Sequence, residues 1–278
     1  MRGIALVLCL LAGLAAAQSG CSAAPAPAAA APSYRPAELS GVFARIRAAR
    51  AEGKTPLAIF DIDGTILDTA PRTRDIFAAA LDGPGAVVTP EKPELAARIR
   101  QLPLADYADA PESTLARVGI VDTAFVRALK TRWNQDFFSN RFLLRDTAIP
   151  GAPAYVDSLH AAGCMIVYCT GRDAPRMLGG TAAALLDRGF PVGIPRTQLV
   201  MKPDKAISDF DFKKAALADF ALLGTVVAVY ENEPHNINLL HTTFPSALAY
   251  YVDTKHSAGA PPVDPGIVWV QDFLAQDR

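Results

Sequence analysis

The stretch Leu57-Ala58-Ile59-Phe60-Asp61-Ile62-Asp63-Gly64-Thr65 decides the reading of this chain. Its first four residues form a short apolar run, which predicts a buried strand. Two carboxylates follow, two residues apart, with glycine behind them. Like charges this close raise each other's proton affinity unless a cation intervenes. A divalent cation would relieve the repulsion and prepare the place for a phosphate. The simpler alternative is an Asp-Gly turn in which Asp61 only caps a neighbouring segment.

The surroundings favour a site. Four further apolar runs read as strands, at 165–169, 198–201, 226–230 and Leu248–Val252. Between or before them, 152–162, 175–188, 213–223 and 234–242 read as helices. Strands alternating with helices predict an α/β fold whose mostly parallel sheet is covered on both faces. Such sheets bind ligands outside the carboxyl ends of the strands, near the point where strand order reverses. Asp61, Thr170 and Glu231 each come directly after a predicted strand, as a shared site requires. Residues 70–148 break the alternation. Helical patches at 94–101, 114–118 and 123–138, with no convincing strand, make this segment a helical insert.

Asp61-Ile62-Asp63-Gly64-Thr65 resembles the first motif of the haloacid dehalogenase (HAD) superfamily, Asp-x-Asp-Gly-Thr. Cys169-Thr170-Gly171-Arg172 is similar to its second motif, a Ser or Thr at a strand end. Phe212-Lys213-Lys214 resembles the third, a lysine. Glu231-Asn232-Glu233-Pro234-His235-Asn236 stands in the place of the fourth. The four occur in order over about residues 55–255. The resemblance implies a Rossmann-like HAD core with a helical cap inserted at about 70–148. It also implies Mg²⁺-dependent hydrolysis of a phosphomonoester, with a small phosphorylated substrate as partner.

Residue roles follow from the same resemblance. Asp61 would be the nucleophile that forms an aspartyl-phosphate. Asp63 would be general acid on the leaving alcohol and then general base on water. This second aspartate separates phosphoryl-transfer members of the superfamily from its dehalogenases. Gly64 would allow close backbone approach, so that N–H groups cradle phosphate. Thr170 and Gly171 would hold a phosphoryl oxygen, and Arg172 would touch substrate or hold the loop. Lys213 would offset charge around nucleophile and phosphate. Neighbours on a helix lie about 100° apart, so only one of Lys213 and Lys214 can face the site. Lys202 is the second candidate for this lysine.

The fourth motif departs from the family pattern. Asn232 stands where the superfamily usually has a magnesium-ligating Asp. An amide oxygen binds Mg²⁺ but brings no charge, so affinity falls. Glu231 or Glu233 could supply the missing carboxylate, beside Asp61 and the backbone carbonyl of Asp63. His235 and His241 read as structural, since Mg²⁺ prefers oxygen. The chain is similar to exported bacterial acid phosphatases of the superfamily, although it lacks their four-aspartate signature. Two other readings stay open: a phosphotransferase, and a non-catalytic domain that binds a phosphorylated ligand or an envelope partner. In the insert, Arg72, Arg74, Trp133 and Asn134 could reach a leaving group, with Trp133 reading better as cap core.

The start of the chain reads as an address. Residues 1–21 have a positive start and an apolar run over 4–17, too short to span a membrane, which predicts a signal peptide. Ala15-Ala16-Ala17 offers an ordinary cleavage site before Gln18. Ser19-Gly20-Cys21 resembles the end of a bacterial lipoprotein signal, with Cys21 lipidated. The second exit is preferred, because the Ala/Pro-rich residues 22–38 make a suitable linker before a domain at 39–278. Export to the periplasm or outer membrane as a lipoprotein, or secretion, is the expectation. The formal net charge is -1 with no long charged run, which leaves no nucleic-acid footprint. Cys164 and Cys169 fall on opposite faces of one predicted strand, so they cannot pair there and read as small buried hydrophobes. No Cys/His cluster has zinc-ligand spacing.

Overall fold

The computed structural model describes residues 33–82, 86–87, 93–108 and 110–274. The signal peptide, Cys21 and most of the expected linker lie outside the described residues. In chain order the elements begin with α1 (Gly41–Ala51), β1 (Pro56–Phe60), β2 (Leu67–Asp68) and α2 (Ala70–Leu81). Next come α3 (Pro93–Arg100), α4 (Pro111–Arg117), α5 (Thr123–Phe137), β3 (Thr147–Ala148) and α6 (Ala152–Ala161). Then follow β4 (Met165–Asp173), α7 (Ala174–Asp187), β5 (Thr197–Lys202), α8 (Asp209–Leu223) and β6 (Thr225–Glu231). The last are α9 (Pro234–Thr243), β7 (Leu248–Val252) and β8 (Val268–Val270).

Six strands form one parallel sheet in the order β5-β4-β1-β6-β7-β8. Numbered along the chain within the sheet, this is the doubly wound order 3-2-1-4-5-6, which reverses between β1 and β6. All five residues of β1 are buried, as a strand covered on both faces requires. Ala58 and Phe60 pack with Val42 and Ile46 of α1 and Val156 of α6. Leu57 and Ile59 pack on the other face with Phe212 and Phe220 of α8 and Leu240 of α9. Cys164 and Cys169 are both free and join opposite cores, so the expected opposition of their faces is observed. Burial pushes both thiols up to about 12.

The insert runs from α2 to β3 and has its own core, including Phe77, Ile99, Leu115, Leu129 and Trp133. No strand was expected there, yet β2 and β3 pair antiparallel, Leu67 with Ala148 and Asp68 with Thr147. A two-residue ladder is too short to leave an alternating pattern in sequence. The ladder brings the two ends of the insert together beside the Asp61 loop.

Two boundaries differ from the sequence reading. Residues before 39 already pack on the domain: Tyr34 bridges Trp269 of the edge strand β8. The Arg35 N–H donates to the Trp269 carbonyl at 2.9 Å, and the Tyr34 hydroxyl donates to Asp253 at 2.5 Å. An open sheet edge accepts such an extended segment readily. Helix α8 starts at Asp209, four residues before Lys213, with Ser208 as its cap accepting from the Asp211 N–H. Among the described residues no helix is long and apolar enough to cross a membrane.

Candidate active site

Asp61 leaves β1 at the place where the sheet order reverses, and its N–H donates to the Tyr230 carbonyl of β6 at 3.0 Å. The chain then folds into a tight loop. The Ile62 carbonyl accepts from Thr65, Ile66 and Leu67, and the Gly64 N–H donates to the Leu67 carbonyl at 2.8 Å. Gly64 has φ +81, and a Cβ there would lie 2.3 Å from Asn232 Nδ2. Glycine is therefore needed for both backbone and space. Its own N–H is used inside the loop.

One buried cluster surrounds Asp61. Lys213 Nζ lies 2.7 Å from Asp61 Oδ1 and 2.5 Å from Glu231 Oε2. Glu231 Oε1 accepts from the N–H groups of Asn232 and Glu233, each at 3.1 Å. The Thr65 hydroxyl stands 3.1 Å from Asp61 Oδ2 and 3.0 Å from Asn232 Oδ1. Asn232 Nδ2 donates to the Lys255 carbonyl at 2.6 Å. Two carboxylates thus share one ammonium. Burial, and then the charge of Glu231, raise Asp61 to about 7 although Lys213 opposes them. Burial would lower the Lys213 ammonium, but Asp61 and Glu231 outweigh it and hold it well above its ordinary value. Lys214 is exposed, and Lys202 donates to Asp209 and the Ile207 carbonyl. Lys213 is the one of the three that reaches Asp61.

Asp63 faces a different pair of charges. Arg172 Nε lies 2.8 Å from its Oδ2, and Arg172 Nη2 lies 2.6 Å from its Oδ1. Arg72 Nη2 adds a third contact to Oδ1 at 2.7 Å. Burial alone would raise the Asp63 carboxyl, but the two guanidiniums hold it well below the usual carboxylate range. Arg172 therefore holds the Asp63 side chain.

Thr170 does not come to the cavity surface. It is fully buried within β4, which runs on to Asp173, and its hydroxyl accepts from the Arg172 N–H at 3.2 Å. The register of β4 against β5 shifts just past Thr170, a local irregularity that an apolar pattern does not reveal. Asp173 caps α7, accepting from the Arg176 N–H. Gly171 does line the cavity, where a Cβ would lie 2.0 Å from an Asp209 carboxylate oxygen.

These groups border a cavity of about 1130 Å³. Asp61, Asp63, Lys213, Glu231 and Asn232 line its core side, and Trp133, Asn134, Phe137 and Phe138 line its insert side. Arg74 pairs with Asp75 and is not among the lining residues. The segment after β7 went unnoticed in sequence. Thr254 donates to the Gly64 carbonyl at 2.5 Å, and Lys255 Nζ stands 3.2 Å from Asp68. Its one signal was position, immediately after a predicted strand.

A hard cation suits this site. Among the described residues no three His, Cys, Asp or Glu side chains form a metal cage. Asp61 Oδ2 and Asn232 Oδ1 nevertheless converge on the Thr65 hydroxyl, beside two carboxylates that share one ammonium. Mg²⁺ takes one or two protein carboxylates and keeps several waters, so few protein ligands suffice. Both Glu231 oxygens face Lys213 or backbone N–H groups, and Glu233 accepts from Ser257. Asn232 is therefore the fourth-motif oxygen presented beside Asp61.

Residues 55–229 match the haloacid dehalogenase-like hydrolase family. The chain belongs to that family. No curated protein matches the sequence. Among solved structures, this HAD-like hydrolase is similar to a haloacid dehalogenase-like hydrolase of Streptococcus pneumoniae, at 14% identity over 77% of this chain and 93% of that one, TM-score 0.44. It is similar to protein tyrosine kinase A of Mycobacterium tuberculosis, at 17% identity over 78% and 94%, TM-score 0.47. It is also similar to the class C acid phosphatase of Bacillus anthracis, at 13% identity over 72% and 65%, TM-score 0.40.

Proposed function

We propose that this HAD-like hydrolase cleaves phosphomonoesters through a phospho-Asp61 intermediate, with Mg²⁺ as its cofactor. The observation that carries the reading is Asp61 bordering the cavity, with Lys213 at 2.7 Å and Asp63 lining the same space. A dehalogenase has no need of the second aspartate, and a binding module gains nothing from a nucleophile beside an acid/base.

In the first half-reaction an Asp61 oxygen attacks phosphorus and the bond to the leaving oxygen breaks. Asp63 gives that oxygen a proton. In the second half water attacks the phosphorus of the phosphoaspartate. Asp63 takes the water's proton, the bond to Asp61 breaks, and inorganic phosphate leaves. Lys213 stays protonated throughout and holds Asp61. The guanidiniums on Asp63 favour its ionised form, which suits the second half. The first half is then easiest for leaving groups that depart as stable anions, such as aryl oxides. Held by Asp61, Asn232 and the Asp63 carbonyl, Mg²⁺ would offset charge on the transferring group and the surplus at Asp61.

Hydrolysis of p-nitrophenyl phosphate with and without Mg²⁺ tests the reading. Turnover should require the metal, and full activity in a chelator would contradict it. We further propose that residues 1–21 direct export and that lipidated Cys21 anchors the enzyme in the periplasm or at the outer membrane, with secretion as the alternative. The lipoprotein-like Ser19-Gly20-Cys21 and the Ala/Pro-rich stretch behind it support this. Cys21→Ser should release the protein from membranes; unchanged retention would overturn the anchor.

A further inference from the structure

Asp146 closes a ring of charges around Asp63. Arg72 Nε lies 3.0 Å from Asp146 Oδ1, and Arg172 Nη2 lies 2.7 Å from Asp146 Oδ2. The same two guanidiniums reach Asp63 at 2.7 and 2.6 Å. The charges alternate Asp63–Arg72–Asp146–Arg172, and each touches both of its opposites. Two members belong to the core: Asp63 beyond β1, and Arg172 in β4. The other two come from opposite ends of the insert: Arg72 in the first turn of α2, and Asp146 directly before β3.

Stability gives no reason to bury four charges. Desolvation of a buried ion pair can exceed its Coulombic gain, and well-packed apolar residues often do as well. The side chains of Arg72 and Asp146 have 0% exposure and that of Arg172 has 1%, whereas Asp63 retains 32%. The ring therefore shows one member to the cavity. Three N–H donors fix the plane of that carboxylate: Nε and Nη2 of Arg172, and Nη2 of Arg72. Arg72 is itself fixed by the insert, since it lies 3.8 Å over the Phe137 ring and donates to the Phe137 carbonyl at 3.3 Å.

We propose that Arg72 and Asp146 are positioning residues for Asp63: the ring they close aims the Asp63 carboxylate, and the insert thereby sets proton-transfer geometry beside the nucleophile. The proposal rests on the phospho-Asp61 reading. Neither residue lies in the four motifs, and neither has a contact with Asp61 among the interactions described above.

Removing Arg72 alone would strand buried acids, so the test variant is paired, Arg72→Met with Asp146→Asn. It keeps the Arg172–Asp63 pair and the balance of charge. The full chain is mixed with Mg²⁺ and p-nitrophenyl phosphate, whose leaving group needs no proton, and phosphoenzyme is followed by acid quench. Formation should stay within about 3-fold of wild type. Decay, which needs Asp63 to take the proton of water, should slow about 10- to 100-fold, so that phosphoenzyme accumulates; positioned acid–base groups supply roughly 10²–10⁴-fold. Arg72→Lys gives a second, charge-conserving test, because an ammonium lacks the fork that spans both acids. It should show the same selective slowing. Decay at the wild-type rate, or formation and decay slowed alike, would overturn the proposal. Wild-type protein that forms phosphoenzyme on Asp61 while both variants decay normally would sink the positioning role alone. Wild-type protein that forms none would remove the underlying reading, and the proposal with it.

Discussion

Lys213 Nζ lies 2.7 Å from Asp61 Oδ1, although 152 positions separate the two residues. Helix α8 carries the ammonium to the end of β1, where burial would otherwise penalise the carboxylate most. Lys213→Met would leave Asp61 and Glu231 as buried, uncompensated charges. Breaking a buried pair in this way costs about 3–5 kcal/mol. Urea unfolding should show a loss of that order, together with loss of turnover. A variant as stable as wild type would contradict the assigned pairing.

Stability of the metal-free protein should depend on pH with two opposite signs. The folded Asp61 carboxyl sits at about 7, against an ordinary value of 3.8. The folded state therefore binds this proton more tightly, and stability rises as pH falls from about 7 toward 4, by at most about 1.4 kcal/mol per pH unit. Asp63 is shifted the other way, so its contribution is present above its ordinary value of 3.8 and is lost as pH falls below it. Melting temperature should peak between these regions. Asp61→Asn should flatten the slope on the neutral side, and Mg²⁺ should do the same by favouring the ionised carboxylate. An unchanged slope in Asp61→Asn would contradict the assignment.

Gly64→Ala tests the packing of the loop. The new Cβ would lie 2.3 Å from Asn232 Nδ2 at a residue with φ +81. Backbone strain of this kind costs about 1–3 kcal/mol, and Asn232 must turn away from the Lys255 carbonyl. Thermal melting should show the destabilisation. The Mg²⁺ concentration for half-maximal activity should rise, because Asn232 Oδ1 moves with its amide. Wild-type metal dependence in Gly64→Ala would argue that Asn232 is no ligand.

Leaving groups should matter. With Asp63 held ionised by Arg72 and Arg172, proton donation in the first half-reaction is weak. Wild-type kcat/KM should fall steeply from p-nitrophenyl phosphate to phenyl phosphate to a simple alkyl phosphate, by about 10²-fold or more across the series. A flat series would show an Asp63 that donates freely.

The parallel sheet was legible because its strands are buried on both faces and alternate with helices. Leu57–Phe60 and 226–230 fall inside the observed β1 and β6, and the site forms where these strands meet. Asp61, Asp63 and Asn232 could be picked out because they follow a strand, Glu231 because it ends one, and Lys213 because it stands in Phe212-Lys213-Lys214 ahead of β6. The start of α8 was misplaced, although Ser208 and Asp211 stand at capping spacing before the apolar pattern begins. Thr170 looked like a strand end because the apolar run stops there, whereas the strand continues through Gly171 and Arg172. The Asp146–Arg172 and Arg72–Asp63 pairs left no sequence signal. Arg72 and Asp146 stand among other charges at opposite ends of the insert, and the two-residue ladder between β2 and β3 joins those ends.

The central claim is a covalent phosphate on Asp61. The most direct measurement is acid quench of the Mg²⁺-loaded protein during p-nitrophenyl phosphate turnover, with mass analysis of the peptide that contains residues 57–65. The account predicts a phosphoryl group on Asp61 in wild type, and neither label nor turnover in Asp61→Asn. Turnover that persists in Asp61→Asn, or that proceeds in wild type with the label on another residue, would contradict it.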